Sequence, residues 1–103
     1  MDIRVNNEST ATVIVVEGIV KTIADTISIK EQIASLLQRE PQKKIIIDFV
    51  DTFVIPSALI GALQKFILGD NAKISVIAGE PQLYELLDNL CLVSQLSVTK
   101  KIR

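Results

Sequence analysis

The spacing of hydrophobic residues changes in the middle of the chain, between residues 43–49 and residues 57–68. The first segment holds the uninterrupted run Ile45, Ile46 and Ile47. A short run of β-branched residues is typical of a strand covered on both faces, and it predicts a central strand of a sheet. The second segment repeats apolar residues at helical spacing, which predicts a helix. The rest of the chain is organised around this strand-connection-helix unit.

The connection closes with Pro56 and Ser57. Proline is favoured in the first turn of a helix because its missing N–H would have no partner inside the helix. A serine hydroxyl at the same place can accept a hydrogen bond from a free backbone N–H group. The pattern predicts a helix that begins near Ser57, and it leaves two roles open for that serine, a helix cap or a regulatory site.

The remaining patterns predict four further strands and two further helices. The strands lie within residues 2–6, 10–20, 73–78 and 96–102, and the helices within residues 23–40 and 81–90. Asn6 to Glu8 are expected to form the first turn. Thr22 with Asp25, and Ser28 with Glu31, both match the spacing of a capping box, so the first helix has two candidate starts. The leucines expected to face inward from the last helix are Leu83, Leu86, Leu87 and Leu90.

The order β-β-α-β-α-β-α-β indicates an α/β fold in a single domain that spans residues 1–103. Strands that alternate with helices are joined by right-handed crossovers, which makes them parallel. The first two strands follow each other directly and can pair as a hairpin. We therefore expect a mixed, mostly parallel sheet of four or five strands, with residues 45–49 in a central strand. The last strand is expected at an edge of the sheet, where Lys100 and Lys101 would hinder its pairing with another copy of the chain.

Composition narrows the possible settings of this domain. Hydrophobic residues make up 49% of the chain, the formal net charge is −1, and there is one cysteine. This charge favours neither nucleic acid nor an anionic membrane as a partner. A lone cysteine rules out an intrachain disulfide and suits a reducing compartment. The first ten residues lack the apolar core of a signal peptide, and no apolar run is long enough to span a membrane. We expect a cytoplasmic protein without membrane insertion.

Residues typical of catalysis are scarce. The chain has no histidine, which excludes Ser-His and Cys-His pairs and a Cys/His zinc site. Its four glycines do not form a phosphate-binding loop. Asp48 and Asp51 have no third ligand nearby in sequence, and Cys91 is expected to be a small core residue. The sequence therefore indicates a non-catalytic protein with no cofactor and no metal.

Three segments carry a resemblance to a known family. They are Glu17-Gly18-Ile19-Val20, IIIDFVDTFVIPSALIGAL at residues 45–63, and LYELLDNLCLVSQLSV at residues 83–98. With the element order and the chain length, they resemble the STAS domain, the fold of anti-sigma-factor antagonists. In that family the third strand leads into a helix through a loop of an aspartate, two hydroxyl residues, a glycine and a leucine. A partner kinase phosphorylates a serine in this loop.

The resemblance implies that Ser57 is the candidate phosphorylation site, because Ser57 is the one hydroxyl residue at the acceptor positions of this loop. Ile55 or Pro56 stands at the place of the family's aspartate, depending on the alignment register. The candidate partner-binding residues are Asp51, Phe53, Val54, Ile55, Pro56, Ser57, Ala58, Ile60 and Gly61. Three consecutive apolar residues in a loop are either folded into the core or exposed for a partner. We expect Val54 or Ile55 to be at least partly exposed.

The resemblance implies two candidate functions and a third as a fallback. The first is a regulator that binds an anti-sigma-factor-like serine kinase, is switched by phosphorylation and is reset by a PP2C-like phosphatase. The second is a STAS scaffold, or a regulatory subunit of a larger complex such as a transporter, that acts without phosphorylation. The third is a nucleotide-binding module, since some members of this fold are reported to bind nucleotides.

Overall fold

The structure is a computed structural model, and it describes residues 1–101. The strands are β1 (Asp2–Asn7), β2 (Ala11–Glu17), β3 (Lys44–Phe49), β4 (Ile74–Ala78) and β5 (Val98–Lys100), and the helices are α1 (Ile23–Arg39), α2 (Ser57–Gly69) and α3 (Pro81–Asn89). One five-stranded sheet has the order β1-β2-β3-β4-β5. β1 is antiparallel to β2, and the other neighbouring pairs are parallel. The predicted α/β fold, element order and mixed sheet are confirmed.

The three helices lie on one face of the sheet. From β2 onward, each strand is added beside the previous one in the same direction. Right-handed crossovers then place every connecting helix on the same side. The core forms between the helices and that side of the sheet. Its fully buried side chains are Phe49, Ile14, Ile29, Ile33, Ile45, Ile47, Leu59, Leu63, Leu83, Leu87, Leu96 and Val16.

The opposite face of the sheet carries no layer of its own within residues 1–101. A shallow depression on it is lined only by strand residues and by residues that directly follow a strand, among them Val13 and Ile77. We call it the uncovered sheet face. Ile45 and Ile47 point to the core, whereas Ile46 points to the uncovered sheet face and is half-buried. The central place of β3 is confirmed, but the expectation that β3 is covered on both faces is wrong, because all helices lie on one side.

Helix α1 begins at the earlier of its two candidate caps. The Thr22 hydroxyl accepts a hydrogen bond from the Asp25 N–H at 3.1 Å, and the Asp25 carboxylate accepts from the N–H groups of Lys21 and Thr22. These two reciprocal sets of bonds form a capping box. The backbone hydrogen bond from Lys21, followed by that from Thr22, lowers the pKa of the Asp25 carboxyl.

Details at the sheet edges differ from the sequence-based expectation. Asn6 and Asn7 belong to β1, and the hairpin turn follows at residues 8–10. β5 is an edge strand, as predicted. Ile102, which was expected to lie in this last strand, is outside the described residues.

The end of α3 also departs from expectation. Leu83 and Leu87 are buried as predicted, but Leu90 is 50% exposed because the helix ends at Asn89. Cys91 follows with φ 59 and is exposed, so it is not the core residue that the sequence indicated. The turn that closes the helix has rotated both side chains away from the core.

Candidate functional site

The loops after β2 and β3 meet at one edge of the sheet, since neighbouring parallel strands end together. The Gly18 N–H donates to Asp51 Oδ1 at 2.7 Å, and the Thr52 hydroxyl donates to the Gly18 carbonyl at 2.6 Å. Gly18 has φ 90, a conformation that glycine adopts without strain. Thr52 is fully buried. These two hydrogen bonds join Gly18, in the loop after β2, to Asp51 and Thr52, in the loop after β3.

Exposed hydrophobic side chains gather around the two tied loops. They are Ile19, Ile23, Ile27, Phe53 and Val54, and together we call them the loop surface. Ile23 is 81% exposed and Val54 is 51% exposed. Ile23 and Ile27 line one depression with Pro56 and Ala58, so the first turns of α1 and α2 adjoin there. The loop surface is therefore an apolar patch at the carboxyl end of the sheet.

The structure divides the predicted partner-binding residues between surface and core. The exposed ones are Asp51, Phe53, Val54, Ser57, Ala58 and Gly61, and Pro56 is half-buried. Ile55 and Ile60 are only 4% and 9% exposed and belong to the core cluster. Their assignment to the surface is corrected, because their side chains close the core beneath the loop. Of Val54 and Ile55, Val54 alone is exposed.

Ser57 is not the cap of α2. Pro56 occupies the N-cap position, with φ −63 and ψ 147, and Ser57 is already the first helical residue. A side chain caps a helix from the N-cap position, and proline has no polar atom to do so. Of the two roles that the sequence left open for Ser57, the helix cap is therefore excluded. Its side chain is instead exposed at the helix N-terminus.

The structure adds residues that the sequence did not mark as part of the site. Ile23 and Ile27 stand four residues apart on α1 and form a second apolar stripe, distinct from the buried stripe at Ile29 and Ile33. That spacing was the available signal. Two cations, Lys21 and Lys30, line the same depression as Pro56 and Ala58 although they are distant from Ser57 in sequence.

The two aspartates in and after β3, Asp48 and Asp51, lie in different parts of the structure. Asp48 lies on the uncovered sheet face, where Lys101 Nζ approaches its carboxylate at 3.5 Å, while Asp51 holds Gly18. Within residues 1–101, no three Cys, His, Asp or Glu side chains converge to hold a metal ion. None of the helices described there is both long and apolar enough to cross a bilayer.

Comparison with known proteins gives no family for this chain: no known family and no curated protein matches its sequence.

Proposed function

We propose that this chain is a non-catalytic, cytoplasmic regulatory module that binds a protein partner through the loop surface. The observation that carries the proposal is the group of exposed apolar side chains on two tied loops and on the adjoining start of α1. Contiguous exposed apolar patches mark protein interaction sites. Because hydrogen bonds already join the two loops, the loops would lose less conformational entropy when a partner binds.

The type of module proposed is an anti-sigma-factor-antagonist-like STAS domain. The resemblance at residues 17–20, 45–63 and 83–98 supports this proposal. The hairpin at the start and the alternating strands and helices that follow agree with it. The partners are then an anti-sigma-factor-like serine kinase, which would contact the loop surface, and a PP2C-like phosphatase.

Ser57 is the proposed switch of this module. A phosphate there would add about −1.5 to −2 charges. Helix N-termini accept anions, because free N–H groups and the helix dipole favour negative charge. The fold should therefore tolerate phosphoserine. A partner seated on the apolar side chains beside it would have to bury the phosphate, at a cost of several kcal/mol. Phosphorylation would then release the partner without unfolding the module.

The second candidate is a STAS scaffold or regulatory subunit that acts without phosphorylation. The observation in its favour is the loop itself, which has Ile55 or Pro56 where the family has an aspartate. The nearest carboxylate in the loop, Asp51, is engaged with Gly18. Intact mass and peptide mapping of protein isolated from its native host separate the two functions. A single phosphate on Ser57 supports the switch, and its complete absence with a partner bound supports the scaffold.

Partner capture tests the binding surface itself. The variant combines Phe53→Ser with Val54→Ser, and the matched control is Leu90→Ser, which changes an exposed leucine at the end of α3. We expect wild type and Leu90→Ser to retain the same protein from a native-host lysate, identified by mass spectrometry. The double variant should lose it while keeping its circular dichroism spectrum. Equal retention by all three proteins would contradict the proposal.

A further inference from the structure

A groove runs between α1 and α2 and extends beyond the loop surface. Three adjoining depressions form it: the first two share Lys30, and the second and third share Phe66 and Asp70. We call it the interhelical groove. Its apolar lining includes Ile23, Ile27, Ala58, Ala62 and Phe66. The groove is open along its length within residues 1–101.

The shape of the groove suits an added helix. The shorter wall, α2, has 13 residues, which corresponds to a length of roughly 20 Å at about 1.5 Å per residue. Ala58 and Ala62 are one turn apart on that wall, so no large side chain of α2 blocks approach there. An amphipathic helix recognises such a groove through apolar residues at helical spacing.

The charges along the groove specify the partner's flanks. Lys21, Lys30 and Lys65 line it, while Asp70 is the single carboxylate among its lining residues and lies at the far end. The nearby Asp25 carboxylate is engaged with the backbone at the start of α1. This local excess of cations contrasts with the net charge of −1 of the whole chain.

We propose that the interhelical groove binds an amphipathic helix of the partner protein whose apolar stripe is flanked by Asp and Glu. This inference rests on the proposed function, and it specifies the partner's chemistry. The apolar stripe packs on Ile27 and Ala62, and the acidic flanks face Lys30 and Lys65. Opposite charges at the rim of an interface guide association and select among partners.

The same arrangement explains how a phosphate on Ser57 would act on this partner. Ser57 lies between Pro56 and Ala58, both of which line the groove with Lys21 and Lys30. A dianion on Ser57, the first residue of α2, would add negative charge at the end of the groove that Lys21 and Lys30 line. It repels the acidic helix and competes with its carboxylates for the cations. Release then follows from electrostatics at the start of the groove.

Two synthetic helical peptides test the inference. Both have about 18 residues, enough to span the groove, and share one leucine-alanine stripe. One peptide carries Glu at the flanking positions and the other carries Lys. Binding to the full chain is followed by fluorescence anisotropy, and the contact site by amide shifts in NMR spectra. The protein variants are Lys30→Glu with Lys65→Glu, and the control Lys73→Glu, an exposed lysine that lines none of the three depressions.

We expect the Glu peptide to shift amides of residues 23–30 and 58–66 and to bind more tightly than the Lys peptide. The double variant should bind the Glu peptide with about tenfold lower affinity, as the loss of two exposed ion pairs implies. Lys73→Glu should change little. Equal binding of both peptides, preference for the Lys peptide, or no binding of either would overturn the inference. Partner capture by the variant that combines Phe53→Ser with Val54→Ser is a separate measurement. If that variant loses the partner while neither peptide binds, the inference about the acidic helix fails and the proposed function stands.

Discussion

At the residue scale, the loop 51–56 places some of its side chains in the core and others at the surface. Its three consecutive apolar residues predicted that the loop is either folded into the core or exposed for a partner, and Val54 is exposed. The direction of each side chain was beyond the sequence, because no regular period operates in a loop. Thr52 and Ile55 turn inward and close the end of the core, while Phe53 and Val54 turn outward. The loop is thus both a plug for the core and part of a surface.

This division predicts a large loss of stability for one substitution and almost none for its neighbour. Ile55→Ser removes a buried aliphatic side chain and places a hydroxyl in the core, so unfolding free energy should fall by about 3 kcal/mol. Val54→Ser, at a half-exposed site, should stay within roughly 0.5 kcal/mol of wild type. Urea denaturation followed by circular dichroism measures both. Similar midpoints for the two variants would place Ile55 outside the core.

At the element scale, the two helix starts show where spacing is informative. Thr22 and Asp25 have the capping-box spacing and form the box. Ser28 and Glu31 have the same spacing inside the same apolar repeat, so only the structure could choose between them. Before α2, Pro56 takes the N-cap position, and the hydroxyl of Ser57 arrives one residue too late to cap. The local sequence located both helices. Whether a hydroxyl residue caps the helix depended on its falling at the N-cap position, which Thr22 does and Ser57 does not.

Matched alanine substitutions test this difference. Thr22→Ala removes a hydroxyl that accepts from the Asp25 N–H, and should lower the unfolding free energy by about 1 kcal/mol. Ser57→Ala removes a hydroxyl outside the cap position and should change it by less than roughly 0.5 kcal/mol. Thermal and urea unfolding of the two variants beside wild type provide the comparison. A loss for Ser57→Ala equal to that for Thr22→Ala would restore the capping role.

At the scale of the whole molecule, the element order was predictable because strand and helix periods alternate along the chain. The position of β3 at the centre also followed from its isoleucine run. The uncovered sheet face did not, since Ile46 belongs to a run that the sequence predicted to be covered on both faces. Which faces receive helices depends on strand order, and β2 to β5 follow one another without reversal. That order emerges only when the strands pair.

The sheet order makes a prediction about opening of the structure. β3 is hydrogen-bonded to β2 on one side and to β4 on the other, and the Ile45 N–H donates to the Lys73 carbonyl at 2.8 Å. β5 has three residues and pairs with β4 alone among the described strands. Edge elements with few bonds open locally, whereas central strands exchange their amides only when the domain unfolds. Amides of residues 45–47 should therefore exchange far more slowly than those of residues 97–101.

Native-state hydrogen exchange in increasing denaturant separates the two kinds of opening. The exchange free energies of residues 45–47 should match the global unfolding free energy and fall with the same denaturant slope. Those of residues 97–101 should be smaller and nearly independent of denaturant, because fraying of an edge exposes little surface. Equal exchange rates in the two segments would contradict the central position of β3. A steep slope at residues 97–101 would instead make β5 part of the cooperative core, closed by its contact with α3.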